Sequence, residues 1–135
     1  VFALLKTYNH YLSFALIHKY DTRDTFLIEE GVEAVKLLRD KGFAAKIATL
    51  NVGVIYGLDF VNSFWESTTT RKYVDGIFDR TFVISDVYRS PTDDISDSGI
   101  LDPNTKKVTV SVAYKATTST TTKLIGTYIT NIFNN

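Results

Sequence analysis

The sequence contains no cysteine among its 135 residues. Disulfide frameworks, cysteine-based zinc sites, iron–sulfur clusters and thiolate nucleophiles are therefore excluded. The sequence also has no excess of positive or negative charge, because 15 basic residues balance 15 acidic ones. Proteins dedicated to nucleic acid usually carry a net positive field, so this balance disfavours that class. It is compatible with subunits that pack against one another.

Long apolar runs and catalytic signatures are missing as well. The longest uncharged stretch near the start covers residues 7–18, whereas a membrane span needs about 20 apolar residues. We therefore predict no transmembrane helix and no signal peptide in these residues. The sequence contains none of four common catalytic or cofactor-binding motifs: the nucleophile elbow, the P-loop, the zinc-protease motif and the dinucleotide fingerprint. We therefore expect that the protein is not an enzyme.

The chain has about the length of one domain. Its first 41 residues are predicted to form one long helix. Apolar residues recur there at spacings of three, four and their multiples, and no proline interrupts the run. Gly42 is a suitable residue to end this helix. Forty helical residues extend for about 60 Å, which is longer than a core of this size. Part of the helix should therefore project from the rest of the protein.

After the helix, apolar residues recur at every second position, which is typical of β-strands. The predicted strands cover residues 77–89, 106–116, 123–133, a short stretch within 44–60, and Phe64–Trp65. Loops are predicted at 67–75 and 90–105, and a Ser/Thr-rich turn at 117–122. The strand that contains Val110 should lie inside the sheet, with Val110 facing Val35 and Leu38 of the helix.

One long helix followed by four or five antiparallel strands is an α+β plan. The chain is divided here into a helix, residues 1–42, and an antiparallel headpiece, residues 43–135. Five segments in this order carry a resemblance to a known family: Leu27–Val35, Tyr56–Leu58, Phe78–Ile84, Asp102–Val110 and Thr127–Asn131. Together they resemble the type IV pilin-like proteins, and in particular those of small-genome candidate phyla bacteria.

The resemblance implies a long N-terminal helix packed against a four- or five-stranded antiparallel β-meander. A mature pilin begins with a methylated Phe and carries Glu at its fifth position. Here those positions are Val1 and Leu5, and no carboxylate precedes Asp21. The upstream hydrophobic part of the helix is therefore expected to be missing, and the chain to be processed or a fragment.

The resemblance also implies a structural subunit of a filament, with no cofactor. Its implied partners are further copies of itself, other pilins, the assembly machinery, and the inner membrane before assembly through the missing upstream helix. The implied location is an extracellular filament at the cell surface. Contacts between helices would be made by apolar residues of the first helical half, which could otherwise belong to an intramolecular core: Phe2, Leu5, Tyr8, Leu12, Phe14 and Leu16.

A binding module, soluble or at a pilus tip, is the alternative function. Its adhesin or DNA-uptake surface would include the loop residues Thr118, Ser119 and Thr120, since loops on a rigid scaffold often carry binding. The basic pairs Arg71–Lys72 and Lys106–Lys107 either contact DNA phosphates or form ordinary solvated surface.

The acidic residues allow two further predictions. Four carboxylates lie in the predicted long loop and act either as Ca²⁺ ligands or as turn formers: Asp93, Asp94, Asp97 and Asp102. Asp21 and Asp24 are predicted to be a pair on the helix surface, without a catalytic role.

Overall fold

The computed structural model describes residues 1–116 and 118–135, and its first element is a single long helix. Helix α1 runs without interruption over Phe2–Lys41, as predicted. Gly42 ends it with φ 155°, and its N–H donates to the Arg39 carbonyl at 3.0 Å. Only glycine adopts this backbone region readily. A four-residue helix, α2, follows at Phe43–Lys46.

Among the described residues, seven strands form one antiparallel sheet beside the second half of α1. The strands are β1 Tyr56–Val61, β2 Phe64–Thr68, β3 Tyr73–Val74, β4 Phe78–Arg89, β5 Ile95–Ser96, β6 Ile100–Ala116 and β7 Ser119–Thr130. Their order is β2-β1-β4-β6-β7, while β3 and β5 pair with β4. The α+β class is thereby confirmed. The strand order is not a simple meander, because β2 lies outside β1 and the chain returns to place β4 beside β1.

Several predicted loop boundaries are wrong. The loop predicted at 67–75 contains the end of β2 and all of β3, and the loop predicted at 90–105 contains β5 and the start of β6. Strand β6 begins early because Ile100–Asp102 pair with Val87–Arg89 before the register shifts next to Asp86. Pro103 lies within this irregularity, where the ladder tolerates a missing N–H.

The core lies between α1 and β4–β6–β7. Ala34, Val35 and Leu38 of the helix pack in one cluster with Val108 and Val110. Val110 is fully buried, and β6 is flanked by β4 and β7. The predictions of an interior strand and of a Val110 side chain facing the helix are confirmed.

Gly31 sets the distance between α1 and the sheet. A Cβ at this position would lie 2.8 Å from Cγ1 of Val110 and 3.3 Å from Cδ of Arg80. Both neighbours are buried, so neither can move aside cheaply. The absence of a side chain at Gly31 therefore lets the helix approach β6 and β4 closely.

We predict that Gly31→Ala lowers the free energy of unfolding by about 1–3 kcal/mol, because the added methyl overpacks the core. Urea denaturation followed by circular dichroism measures this. Gly126→Ala is the matched control: its Cβ would meet only the Lys107 side chain, at 3.6 Å. Equal stability of the two variants would contradict the close helix–sheet contact.

Candidate assembly site

The first half of α1 extends beyond the sheet. Residues 1–19, called the stalk below, are all exposed, although they form part of the same continuous helix as the packed half. Phe2 is 87% exposed and Phe14 is 68% exposed. The large apolar side chains exposed on the stalk are Val1, Phe2, Leu4, Leu5, Tyr8, Tyr11, Leu12, Phe14, Leu16 and Ile17. An exposed apolar surface of this extent on a small protein marks a site of interaction.

All six predicted interface residues lie on the stalk and are exposed. Five of them follow one another at spacings of three or four and therefore share one stripe of the helix: Phe2, Leu5, Tyr8, Leu12 and Leu16. Phe14 lies outside that stripe, together with Tyr11 and Ile17. The stalk consequently presents apolar surface in more than one direction.

A mixed polar and aromatic cluster holds the helix where the stalk leaves the sheet. This cluster, called the anchor below, consists of Tyr20, Asp21, Asp24, Tyr114 and Lys123. Nζ of Lys123 donates to Oδ1 of Asp24 at 2.9 Å and to the Asp21 carbonyl at 3.1 Å. The Tyr114 hydroxyl donates to Oδ1 of Asp21 at 2.9 Å.

Aromatic packing completes the anchor. The Tyr20 ring lies edge-on to Tyr114 at 5.5 Å and to Phe78 at 5.7 Å between centroids. Phe78 and Tyr114 themselves meet at 5.6 Å. Such geometries add a modest attraction to the burial of the rings. Tyr20 is therefore the first helical residue that is packed against the sheet.

The electrostatics of the anchor stabilise its protonated groups. The hydrogen bond to Asp24 raises the pKa of Lys123, against partial burial, which acts to lower it. Burial raises the pKa of the Tyr114 hydroxyl, and so does its hydrogen bond to Asp21. Since both folded-state pKa values are raised, the stabilisation is present at neutral pH and is lost as the pH rises through them.

The prediction that Asp24 lies on the helix surface is wrong, because its side chain is completely buried. The spacing could have shown this: Asp24 precedes Leu27 and Ile28 by three and four residues and shares their buried face. Oδ2 of Asp24 has no hydrogen-bond partner in the described part of the chain. No pattern near Asp24 indicates that Lys123, 99 residues away, is the partner of Oδ1.

The four aspartates suggested as calcium ligands are not brought together. Arg89 pairs with Asp102 at 2.9 Å, and the Thr92 hydroxyl donates to Asp94 at 2.7 Å. Partial burial acts to raise the pKa of Asp102, but hydrogen bonds from Thr105 and Asn104 and the Arg89 charge lower it below its ordinary value. Within residues 1–116 and 118–135, no group of three or more potential ligands could hold a metal ion.

The residues predicted as a binding loop are exposed at the β6–β7 connection. Thr118 lies in the turn, whereas Ser119 and Thr120 already belong to β7. Thr117, part of the same predicted turn, lies outside the described residues. The turn is shorter than predicted because Ala116 pairs directly with Ser119.

Carboxylates neutralise most of the basic residues considered for DNA contact. Arg71 pairs with Asp79, and Nζ of Lys72 lies 3.1 Å from Asp59. Lys106 pairs with Asp86. These pairs reduce the positive field that phosphate binding requires.

Comparison with protein-family models, curated proteins and solved structures finds no match for this chain. In the described ranges, no helix is long and apolar enough to cross a membrane.

We predict that Lys123→Ala lowers the free energy of unfolding by about 1–3 kcal/mol, because the buried Asp24 carboxylate loses its donor. Urea denaturation at pH 7 measures this. The difference from the unmodified protein should shrink as the pH rises through the raised pKa of Lys123.

Lys115→Ala is the control for this prediction, because Lys115 is an exposed lysine of the same hairpin. Adding Asp24→Asn to Lys123→Ala should recover part of the lost stability, since the uncompensated charge is removed. A Lys123→Ala protein as stable as the Lys115→Ala protein would contradict the anchor.

Proposed function

We propose that this protein is a structural subunit of a type IV pilus-like filament and assembles through its N-terminal helix. The observation that carries the proposal is the stalk: a continuous, exposed and apolar helical segment fixed to a folded head. The order of elements supports it, since a long first helix precedes an antiparallel sheet. The sequence resemblance to pilin-like proteins agrees with this proposal.

The energetics favour burial of the stalk between copies. Burying one large apolar side chain contributes roughly 1.5–3 kcal/mol. Association costs roughly 4–15 kcal/mol in lost freedom of motion. Burial of about five of the stalk's side chains is therefore of the size needed to hold neighbouring copies together.

The anchor suits such an assembly because it fixes the stalk relative to the head. Contacts between non-equivalent surfaces of identical subunits produce an open-ended fibre when the rotation does not close. A fixed stalk gives every copy the same geometry, so the same contact repeats. In this proposal the stalks form the interior of an extracellular cell-surface filament and the heads cover it, with other pilins, the assembly machinery and the inner membrane as partners before and during assembly.

We predict that Leu5→Asp abolishes self-association while the head stays folded, because it places a charge in the buried interface. Sedimentation velocity over a concentration series, with electron microscopy of the pellet, measures assembly. Circular dichroism with thermal unfolding verifies the fold.

Leu124→Asp is the matched control. Leu124 is 67% exposed on the head, compared with 54% for Leu5 on the stalk. Assembly should survive this change. A Leu5→Asp variant that assembles normally would overturn the proposal. A chain that stays monomeric at every concentration and yet binds DNA or a glycan would favour the binding module.

A further inference from the structure

A cleft opens between the second half of α1 and the hairpin formed by β1 and β2. Its volume is about 440 Å³, within the range of small-molecule binding sites. Its apolar walls are formed by Leu37 of the helix and by Phe60, Phe64 and Trp65 of the hairpin. None of the residues that line it belongs to the stalk, the anchor or the β6–β7 turn.

The hairpin turn holds two aromatic rings side by side. Asn62 and Ser63 connect β1 to β2, and their φ angles are 50° and 67°. A two-residue connection with both φ angles positive matches the twist of the strands and fixes their register. Phe60 lies directly opposite Trp65, with 5.2 Å between the ring centroids and 59° between the ring planes. The two rings therefore meet at an angle, as adjoining walls of the cleft.

The walls of the cleft remain open to solvent in the folded chain. Phe60 is 59% exposed, Phe64 is 55% exposed and Leu37 is 53% exposed. Single apolar residues on a surface need no explanation, but three around one cleft mark a place where a ligand or partner binds. The charges and hydrogen-bonding groups of the cleft decide which ligand suits it.

A charged ligand does not suit the cleft. Aromatic faces attract cations, but Nζ of Lys41 already lies 4.4 Å from the ring centroid of Phe64. Cζ of Arg80 lies 5.1 Å from the ring centroid of Trp65. A cationic ligand would be repelled by both side chains, and an anionic ligand would face the carboxylate of Asp40. The charges therefore favour a neutral ligand.

The rim of the cleft offers hydrogen bonds to such a ligand. Both contacts from Arg39 to Asp40 go to Oδ1, at 2.7 Å, so Oδ2 can accept from a ligand. The Lys41 ammonium donates to Glu66 and keeps donors to spare. The Ser63 hydroxyl, which also lines the cleft, can donate and accept. A wholly apolar occupant would bury these groups without partners, which is costly.

A sugar ring matches this combination of groups. A hexopyranose has an apolar face of C–H groups and a belt of hydroxyls, each of which can donate and accept. The apolar face can lie on an aromatic ring while the hydroxyls reach the polar rim. We propose that the cleft binds a neutral hexopyranose glycan, stacked on Phe60 and Trp65 and hydrogen-bonded to Asp40 and Ser63. This binding function goes beyond filament assembly and does not depend on it.

Trp65 makes the glycan site directly testable, because it is the only tryptophan of the chain. Its fluorescence therefore reports on the cleft. Titration of the full chain with maltohexaose, cellohexaose and chitohexaose should give a saturable change for at least one of them, with a dissociation constant of about 1 mM or below. The Leu5→Asp variant should give the same constant, since it is expected to lose assembly and to keep a folded head.

Removal of one aromatic wall should weaken the binding. Phe60→Ala should raise the dissociation constant about tenfold, because a stacking surface is lost. Tyr73→Ala is the matched control: Tyr73 is also 59% exposed but does not line the cleft, so binding should be unchanged. Asp40→Ala should weaken binding as well. Isothermal titration calorimetry checks each constant without relying on fluorescence, and urea denaturation should show that all variants stay folded.

Two results would overturn the glycan site. One is the absence of a response to all three sugars at concentrations far above the expected dissociation constant, and the other is equal binding by the Phe60→Ala and Tyr73→Ala variants. If Phe60→Ala abolishes self-association and no sugar binds, the cleft is a contact between copies, so the glycan site is overturned while the filament proposal stands. If a sugar binds to a chain that never self-associates, the glycan site stands and the filament proposal fails.

Discussion

The close contact of α1 with β6 is the constraint on which the structure depends. The sheet buries one face, and the second half of the helix covers that face with residues spaced by three and four. Gly31 lets the two backbones approach, and Val110 occupies the space that a side chain at Gly31 would need. Because the cover is supplied by one half of a single helix, the other half extends past the sheet without a partner.

The anchor shows how that boundary is stabilised. An apolar contact alone would let the helix slide or tilt at the edge of the sheet. A buried carboxylate that accepts from Lys123 has directional requirements, and so does the hydroxyl bond from Tyr114 to Asp21. Desolvation of a buried charge offsets much of its attraction to a partner, so the main effect of these bonds comes from their direction. Here they fix the residue at which packing against the sheet stops.

The sequence predicted elements that depend on local periodicity. The long helix, the interior position of Val110 and the exposure of the stalk follow from spacings of three, four and two. The elements that it missed depend on partners far away in the chain. Strand β3 exists because β4 lies beside it, and the partner of the Asp24 carboxylate is Lys123 of β7. Neither pairing can be recognised from the neighbouring residues in the sequence. The aspartates of the predicted calcium loop instead have protein partners: Arg89 pairs with Asp93 and Asp102, and Thr92 donates to Asp94.

The uninterrupted course of α1 through the anchor has a mechanical consequence. A force applied to the stalk along its axis is carried by the helix backbone into the head, where the same helix lies along the sheet. The load then acts parallel to that interface and is shared by all its contacts at once, from Tyr20 to Leu38. A joint loaded in shear resists far more force than one peeled open contact by contact. The shared helix thus makes the subunit suited to bearing tension.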